Sequence, residues 1–177
     1  MNIFVLDRDT KTCARNHADQ HVVKMTLESA QILCTVVNQN GGTAPYKSTH
    51  TRHPCTLWAG HSLTNWHWLR RLALALNEEY RYRFRAPADH RSGRVVRDLD
   101  PPPISDLGLT EFVQAMPEEY RVAGDAVEAY RRFYIGEKSR FAKWTRRRPP
   151  AWYTEGTATR ISGRPPDRPR RPESPDS

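Results

Sequence analysis

The chain has no cysteine pair at metal-ligand or redox spacing. Its three cysteines, Cys13, Cys34 and Cys55, are odd in number and far apart. A disulfide framework or a zinc ribbon needs paired cysteines, so neither is expected, and a reducing compartment is. A long apolar run is also missing. The opening MNIFVLD gives way at once to Asp7, Arg8 and Asp9, carries no basic leader, and falls well short of the ~20 apolar residues of a membrane span. A cytoplasmic protein without membrane association is therefore expected. Apolar residues are scarce too, at 37% of 177, with a mean hydropathy of −0.80. Much of that shortfall lies near the C-terminus, where ISGRPPDRPRRPESPDS is rich in Pro and Arg and offers little to bury. Such composition predicts a disordered tail over residues 157–177. Acidic residues are outnumbered by basic ones, 20 against 28, which leaves a net charge of +8 and a pI near 9.8. That balance favours an anionic partner, nucleic acid being the usual one, against the alternative of a merely solvated basic tail.

What remains is enough for one helical domain over residues 1–156. Asn2–Leu6 reads as a short strand or an extended arm tucked into the core. Apolar periodicity then predicts about three long helices. The first occupies Cys13–Val37, capped from Asp9, Thr10 or Thr12, and stops at NQNGG. The second starts at Thr56, presents Leu63, Trp66, Leu69, Leu72, Ala73, Leu76 and Tyr80 on one face, and ends near Phe84. The third starts at Asp125 and is marked by Val127, Tyr130, Tyr134, Phe141 and Trp144, with Gly136 weakening it midway. Residues 43–55 and 86–105 read as loops. A short helix is expected over Glu111–Ala115, and MPEEY restarts one with Pro117 in its first turn.

The first long helix carries the strongest chemical signal. His17, His21, Lys24, Glu28 and Gln31 follow at steps of four, three, four and three, which places them on one helix face. The flanks are apolar, so a narrow ionisable seam runs along a largely buried helix. Such groups cost free energy unless they are paired or open onto a cleft. Three readings of the seam stand side by side. A metal site would gather His17, His21, Asp19, His50 and His53, but HADQH lacks the glutamate of a zincin motif. A structural seam would hydrogen-bond the histidines and pair Lys24 with Glu28. A catalytic seam would use Glu28 as general acid/base or electrostatic stabiliser.

Weaker signals lie elsewhere. His53 and His61 bracket the start of the second helix, where free backbone N–H groups can receive phosphate. Arg146, Arg147 and Arg148 stand beside Trp152 and Tyr153, a pairing that suits phosphates and bases. The competing reading is that both aromatics close the core and the arginines are solvated.

Taken together, these pieces resemble the phage-type pyrimidine-dimer DNA glycosylases, also called endonuclease V of the denV type. ADQH at Ala18–His21 followed by Glu28 seven residues on resembles that family's opening helix. Tyr46-Lys47, Pro54, Ala59-Gly60-His61, Trp68–Arg71, Met116–Arg121, Glu137-Lys138, Arg148-Pro149 and Trp152-Tyr153 resemble its later elements, in the same order. The similarity spans roughly residues 1–156. The MNIF opening and the HVVKM helix also resemble phage proteins.

The resemblance implies a monomeric DNA-repair glycosylase with abasic-site lyase activity on damaged or modified pyrimidines of double-stranded DNA, needing no cofactor or metal. In that family the N-terminal amine attacks C1′ of the sugar and a glutamate stabilises the developing charge. Free α-amines titrate near 7.7–8.0, so a useful neutral fraction exists at pH 7. Glu28 is then the catalytic carboxylate, and the amine belongs to Met1, Asn2 or Lys24, with His21 and His17 orienting the seam. His17, Lys47, His53, His61, Arg146, Arg147, Arg148, Trp152 and Tyr153 are the expected DNA contacts. Asn2 stands where the family has threonine, and Ile3 and Leu27 stand where it has arginines. Two other functions fit the same residues: a phage base-modifying or nucleotide-acting enzyme on this scaffold, and a non-catalytic nucleic-acid-binding protein.

Overall fold

A computed structural model describes residues 1–161, and every regular element among them is helical. The elements are α1 (Thr10–Asn16), α2 (Asp19–Gln39), α3 (Pro54–His61), α4 (Leu63–Phe84), α5 (Arg91–Asp98), α6 (Ala126–Phe133) and α7 (Ala151–Ile161). A 3₁₀ turn at Glu118–Tyr120 and a π-helical turn at Tyr134–Lys138 flank α6. Only α2 and α4 are long, at 21 and 22 residues. The all-α class matches the sequence pattern, and the count of three long helices does not.

The antiparallel pair α2–α4 is the centre of the fold. The end of α4 meets the start of α2 through Arg83 and Asp19, and the start of α4 meets the end of α2 through Trp66 and Leu33. Val22, Met25, Ile32 and Leu33 of α2 and Trp66, Leu69, Leu72 and Leu76 of α4 are essentially inaccessible to solvent. Burial of side chains of this size is worth about 1.5–3 kcal/mol each. Packing, rather than helix propensity, therefore holds the pair together. Gly41, at φ +83°, supplies the positive φ that ends α2, as NQNGG predicts.

The first expected helix is broken. His17 and Ala18 are extended, so α1 and α2 are separate helices. Apolar periodicity carries through the break, but tertiary partners hold it open. Arg83 donates to the carbonyls of Arg15 and His17, the Tyr134 hydroxyl accepts from Ala18 N–H, and the Lys143 carbonyl accepts from Asp19 N–H. The second expected helix is likewise two, because Ser62 turns extended between α3 and α4. Its hydroxyl donates to Gly108, and Leu63 N–H reaches the Ser105 carbonyl. His53, not Thr56, caps α3, with Pro54 in the first turn.

Further corrections lie in the second half. The loop expected over 86–105 contains α5, whose Ser92, Gly93 and Val96 are buried. Glu111–Ala115 is not helical, and MPEEY forms only the 3₁₀ turn. The third long helix is short, ending as α6 at Phe133 and loosening into the π turn that contains Gly136. A Cβ at position 136 would collide with the Tyr120 ring, so glycine here admits a close approach. The expected domain edge at 156 falls inside α7, so residues 157–161 of the expected tail are helical. The rest of that tail, 162–177, lies outside the described residues. Asn2–Leu6 is an arm, buried at every position and paired into no sheet.

Candidate active site around Glu28

The arm brings the start of the chain onto the middle of α2. Phe4 adopts φ +51°, which is uncommon for a bulky residue and turns the two residues before it inward. Its ring stacks on His21 at 4.5 Å and lies parallel to Phe133 at 6.0 Å, contacts that hold the turn. Asn2 is then locked by its side chain. Its Oδ1 accepts from Tyr130 Oη at 2.8 Å and from Ile3 N–H at 2.8 Å, while its Nδ2 donates to the Ala115 carbonyl at 2.8 Å.

These contacts direct two nitrogens of the arm at Glu28, and α2 itself supplies a third from Lys24. Asn2 N–H donates to Glu28 Oε2 at 2.9 Å, the Met1 α-amine lies 3.9 Å from the same oxygen, and Lys24 Nζ lies 3.5 Å from Oε1. The Met1 side chain is 2% exposed and its sulfur accepts from Thr56 Oγ1, so the first residue is anchored against α3. Glu28 is 11% exposed and Lys24 63%, so the seam opens to solvent on the lysine side. His53 sits close enough to feel both partners. Burial lowers its pKa first, the α-amine and His50 lower it further, and Glu28 opposes them. Cys55 borders the same spot, with its thiol pushed up to about 12 by burial. A cleft of about 360 Å³ adjoins the next turn of α2, lined by Leu27, Gln31, Tyr46, His90, Arg91 and Ser92.

The two seam histidines sit elsewhere. His17 is fully buried, with Nδ1 2.8 Å from the Cys13 carbonyl, and burial lowers its pKa to about 4. It is therefore a core residue and not a DNA contact. His21 is buried between Phe4 and Tyr134, with Nδ1 2.7 Å from the Tyr134 hydroxyl. Burial, helped by the positive charges of Lys24 and Lys138 and by His17, takes its pKa to about 3. It acts on the site through Phe4, by supporting the arm.

The remaining expected contacts divide. Lys47 and His61 are exposed and His53 is half-buried, so all three are reachable from solvent. Trp152 packs on Tyr134 under the Arg131 guanidinium, and Tyr153 packs on Trp144. Both aromatics are therefore partly buried against the core and keep some exposed surface. Arg147 is tied to Glu79 at 2.6 and 3.1 Å, so its charge is spent inside the protein. Arg146 and Arg148 are exposed.

Sequence reasoning missed several supports. Tyr130 and Tyr134 are four apart, and that spacing was a usable signal for one shared face. Lys138 lies over Phe133 at 4.6 Å, its pKa lowered by burial and by Lys24. No local signal marked Arg83, which is completely buried between Glu79 and Asp19. Among the described residues, no group of three or more His, Cys, Asp or Glu side chains is placed to hold a metal ion. None of their helices is long and apolar enough to cross a membrane. No family model, curated protein or solved structure matches the chain.

Proposed function

We propose that this protein is a DNA glycosylase with abasic-site lyase activity on damaged or modified pyrimidines, working through an amine beside Glu28. The observation that carries this reading is the convergence of Asn2 N, the Met1 α-amine and Lys24 Nζ within 4 Å of one poorly exposed carboxylate. A neutral amine lone pair attacks C1′ of the damaged nucleotide. The glycosidic bond breaks and the base departs with its electron pair, taking up a proton. The C1′–O4′ bond then opens, O4′ gains a proton, and the nitrogen, having lost one of its two protons, is left as a protonated imine. Removal of a C2′ proton expels the 3′-phosphate and cuts the strand. Glu28 supplies the fixed negative charge that steadies the cationic sugar and a place to pass the amine's proton. The Met1 α-amine is the nearest non-amide nitrogen with an anchored side chain, and Lys24 is the mobile alternative.

The test is borohydride trapping on abasic-site and ultraviolet-irradiated duplexes, with mass spectrometry of the trapped peptide. An adduct on Met1, on Asn2 in chains from which Met1 has been removed, or on Lys24, lost in Glu28→Gln, supports the reading. Absence of any adduct from a chain that binds these duplexes refutes it.

One observation favours a second reading, a non-catalytic nucleic-acid-binding protein. Glu28 already has a backbone hydrogen bond and two amine neighbours, as a structural seam requires. Measurement of stability in Glu28→Gln separates the two readings.

A further inference from the structure

A cluster of arginines lies at the C-terminal end of α4, in an open cavity of about 500 Å³ lined by Glu78, Arg81, Tyr82, Arg85, Ala86 and Arg146. It shares no residue with the Glu28 seam. Two of its arginines hold left-handed backbone: Arg85, the residue capping α4, at φ +50°, and Arg146 at φ +59°. Side chains with a Cβ rarely adopt this region, and the position after a helix is the usual place for glycine. Here both positions carry a guanidinium instead.

The segment that bears Arg146 is pinned. Asp19 accepts from Thr145 N–H at 3.0 Å and from its hydroxyl at 2.7 Å, and Trp144 Nε1 donates to the Asn16 carbonyl. Arg147, one residue on, is fixed by Glu79, so the backbone presenting Arg146 has little freedom. Tyr82 is clamped between the guanidinium groups of Arg146 and Arg147, 4.4 and 4.2 Å from its ring. Arg146 also donates to the Tyr82 carbonyl, and Arg81 lies 3.7 Å from Asp89. Arg85 has no hydrogen bond or ion pair from its side chain within the described residues. Three arginines face one glutamate and a helix C-terminus worth about −0.5 charge. Even with Arg81 set against Asp89, Arg85 and Arg146 outweigh Glu78 and the helix end, so the surplus of the cavity is positive.

We infer that this cavity is a phosphate-binding site for the backbone of duplex DNA, formed by Arg146 and by a strained Arg85 where stability alone would select glycine. The inference rests on DNA being the partner, as proposed above, and not on the lyase chemistry. Its signature is opposite movement of stability and affinity. Glycine at 85 relieves the backbone and removes one phosphate contact, whereas glycine at 146 also removes the bond and ring contact to Tyr82, so the opposition is read at 85.

The experiment measures binding to an undamaged duplex by fluorescence anisotropy across a salt series, with thermal melting of the same samples. Wild type is compared with Arg85→Gly, Arg146→Gly, the double variant, and Arg94→Gln, which removes an exposed charge on α5. The expected result is a melting temperature equal to or above wild type in Arg85→Gly. The slope of log affinity against log salt should shrink by about 0.9 for each arginine lost, and less in Arg94→Gln. Equal losses in Arg94→Gln would reduce the effect to net charge and overturn the site. Unchanged slopes in the double variant overturn it too, while leaving the lyase reading in place. Conversely, weakened slopes in a protein that never forms a borohydride adduct uphold the site and refute the lyase.

Discussion

Replacing Glu28 by Gln removes one charge and keeps the shape, so it tests how much of the seam is structural. The Asn2 N–H bond at 2.9 Å survives as a neutral one. Charge-assisted hydrogen bonds contribute about 1.5–3 kcal/mol and neutral ones about 0.5–1.5, so the change costs about 1 kcal/mol. Lys24 is 63% exposed at 3.5 Å, and a screened i,i+4 pair of this kind contributes about 0.3–0.5 kcal/mol. The α-amine at 3.9 Å adds at most a similar amount. The sum is roughly 2 kcal/mol, or about 4–8 °C in melting temperature for a chain of this size. Differential scanning calorimetry at pH 7 reads the stability, and borohydride trapping on an abasic duplex reads the chemistry. The expected outcome is that modest thermal loss together with a fall in trapping of about 10² or more, since a positioned acid–base group contributes that much. A drop above about 15 °C, or trapping equal to wild type, refutes the reasoning and assigns Glu28 to the fold.

Two further outcomes follow from the buried polar groups. Arg83→Ala strands Glu79 and Asp19 in the interior and should cost about 3–5 kcal/mol by urea denaturation, whereas a loss below about 1 kcal/mol would mean that Arg147 and Thr145 already satisfy them. Acid should destabilise the protein well above the carboxylate range. His17 and His21 stay neutral in the folded chain down to about 4 and about 3, while the unfolded chain binds their protons below about 6.5. The unfolded state holds more protons in that window, so stability falls as pH drops, by at most about 2.7 kcal/mol per unit near pH 5. Identical urea midpoints at pH 7 and pH 5 would contradict the burial of both rings.

Helicity was legible because it is local. The apolar spacing of α2 and α4 and the NQNGG stop are properties of a few neighbouring residues. Glu28 and Lys24 were legible for the same reason, since four residues apart on a helix fixes their distance whatever else the fold does. The breaks at His17-Ala18 and Ser62 were not. Their local sequence continues the helical pattern, and they open only because partners distant in sequence satisfy the freed backbone groups, namely Arg83, Tyr134 and Lys143 at the first and Ser105 and Gly108 at the second.

The same division runs through the site. Sequence alone determined an all-helical domain, its basic charge, and a carboxylate and amine on one seam. Only the tertiary structure decided which nitrogens reach Glu28, because Asn2 arrives across 26 residues along an arm held by Tyr130 and Ala115. It also buried His17, packed Trp152 and Tyr153 partly against the core and paired Arg147 with Glu79. Periodicity records which face of an element is apolar. What covers that face, and which polar group is left facing a cleft, depends on contacts between segments far apart in the chain.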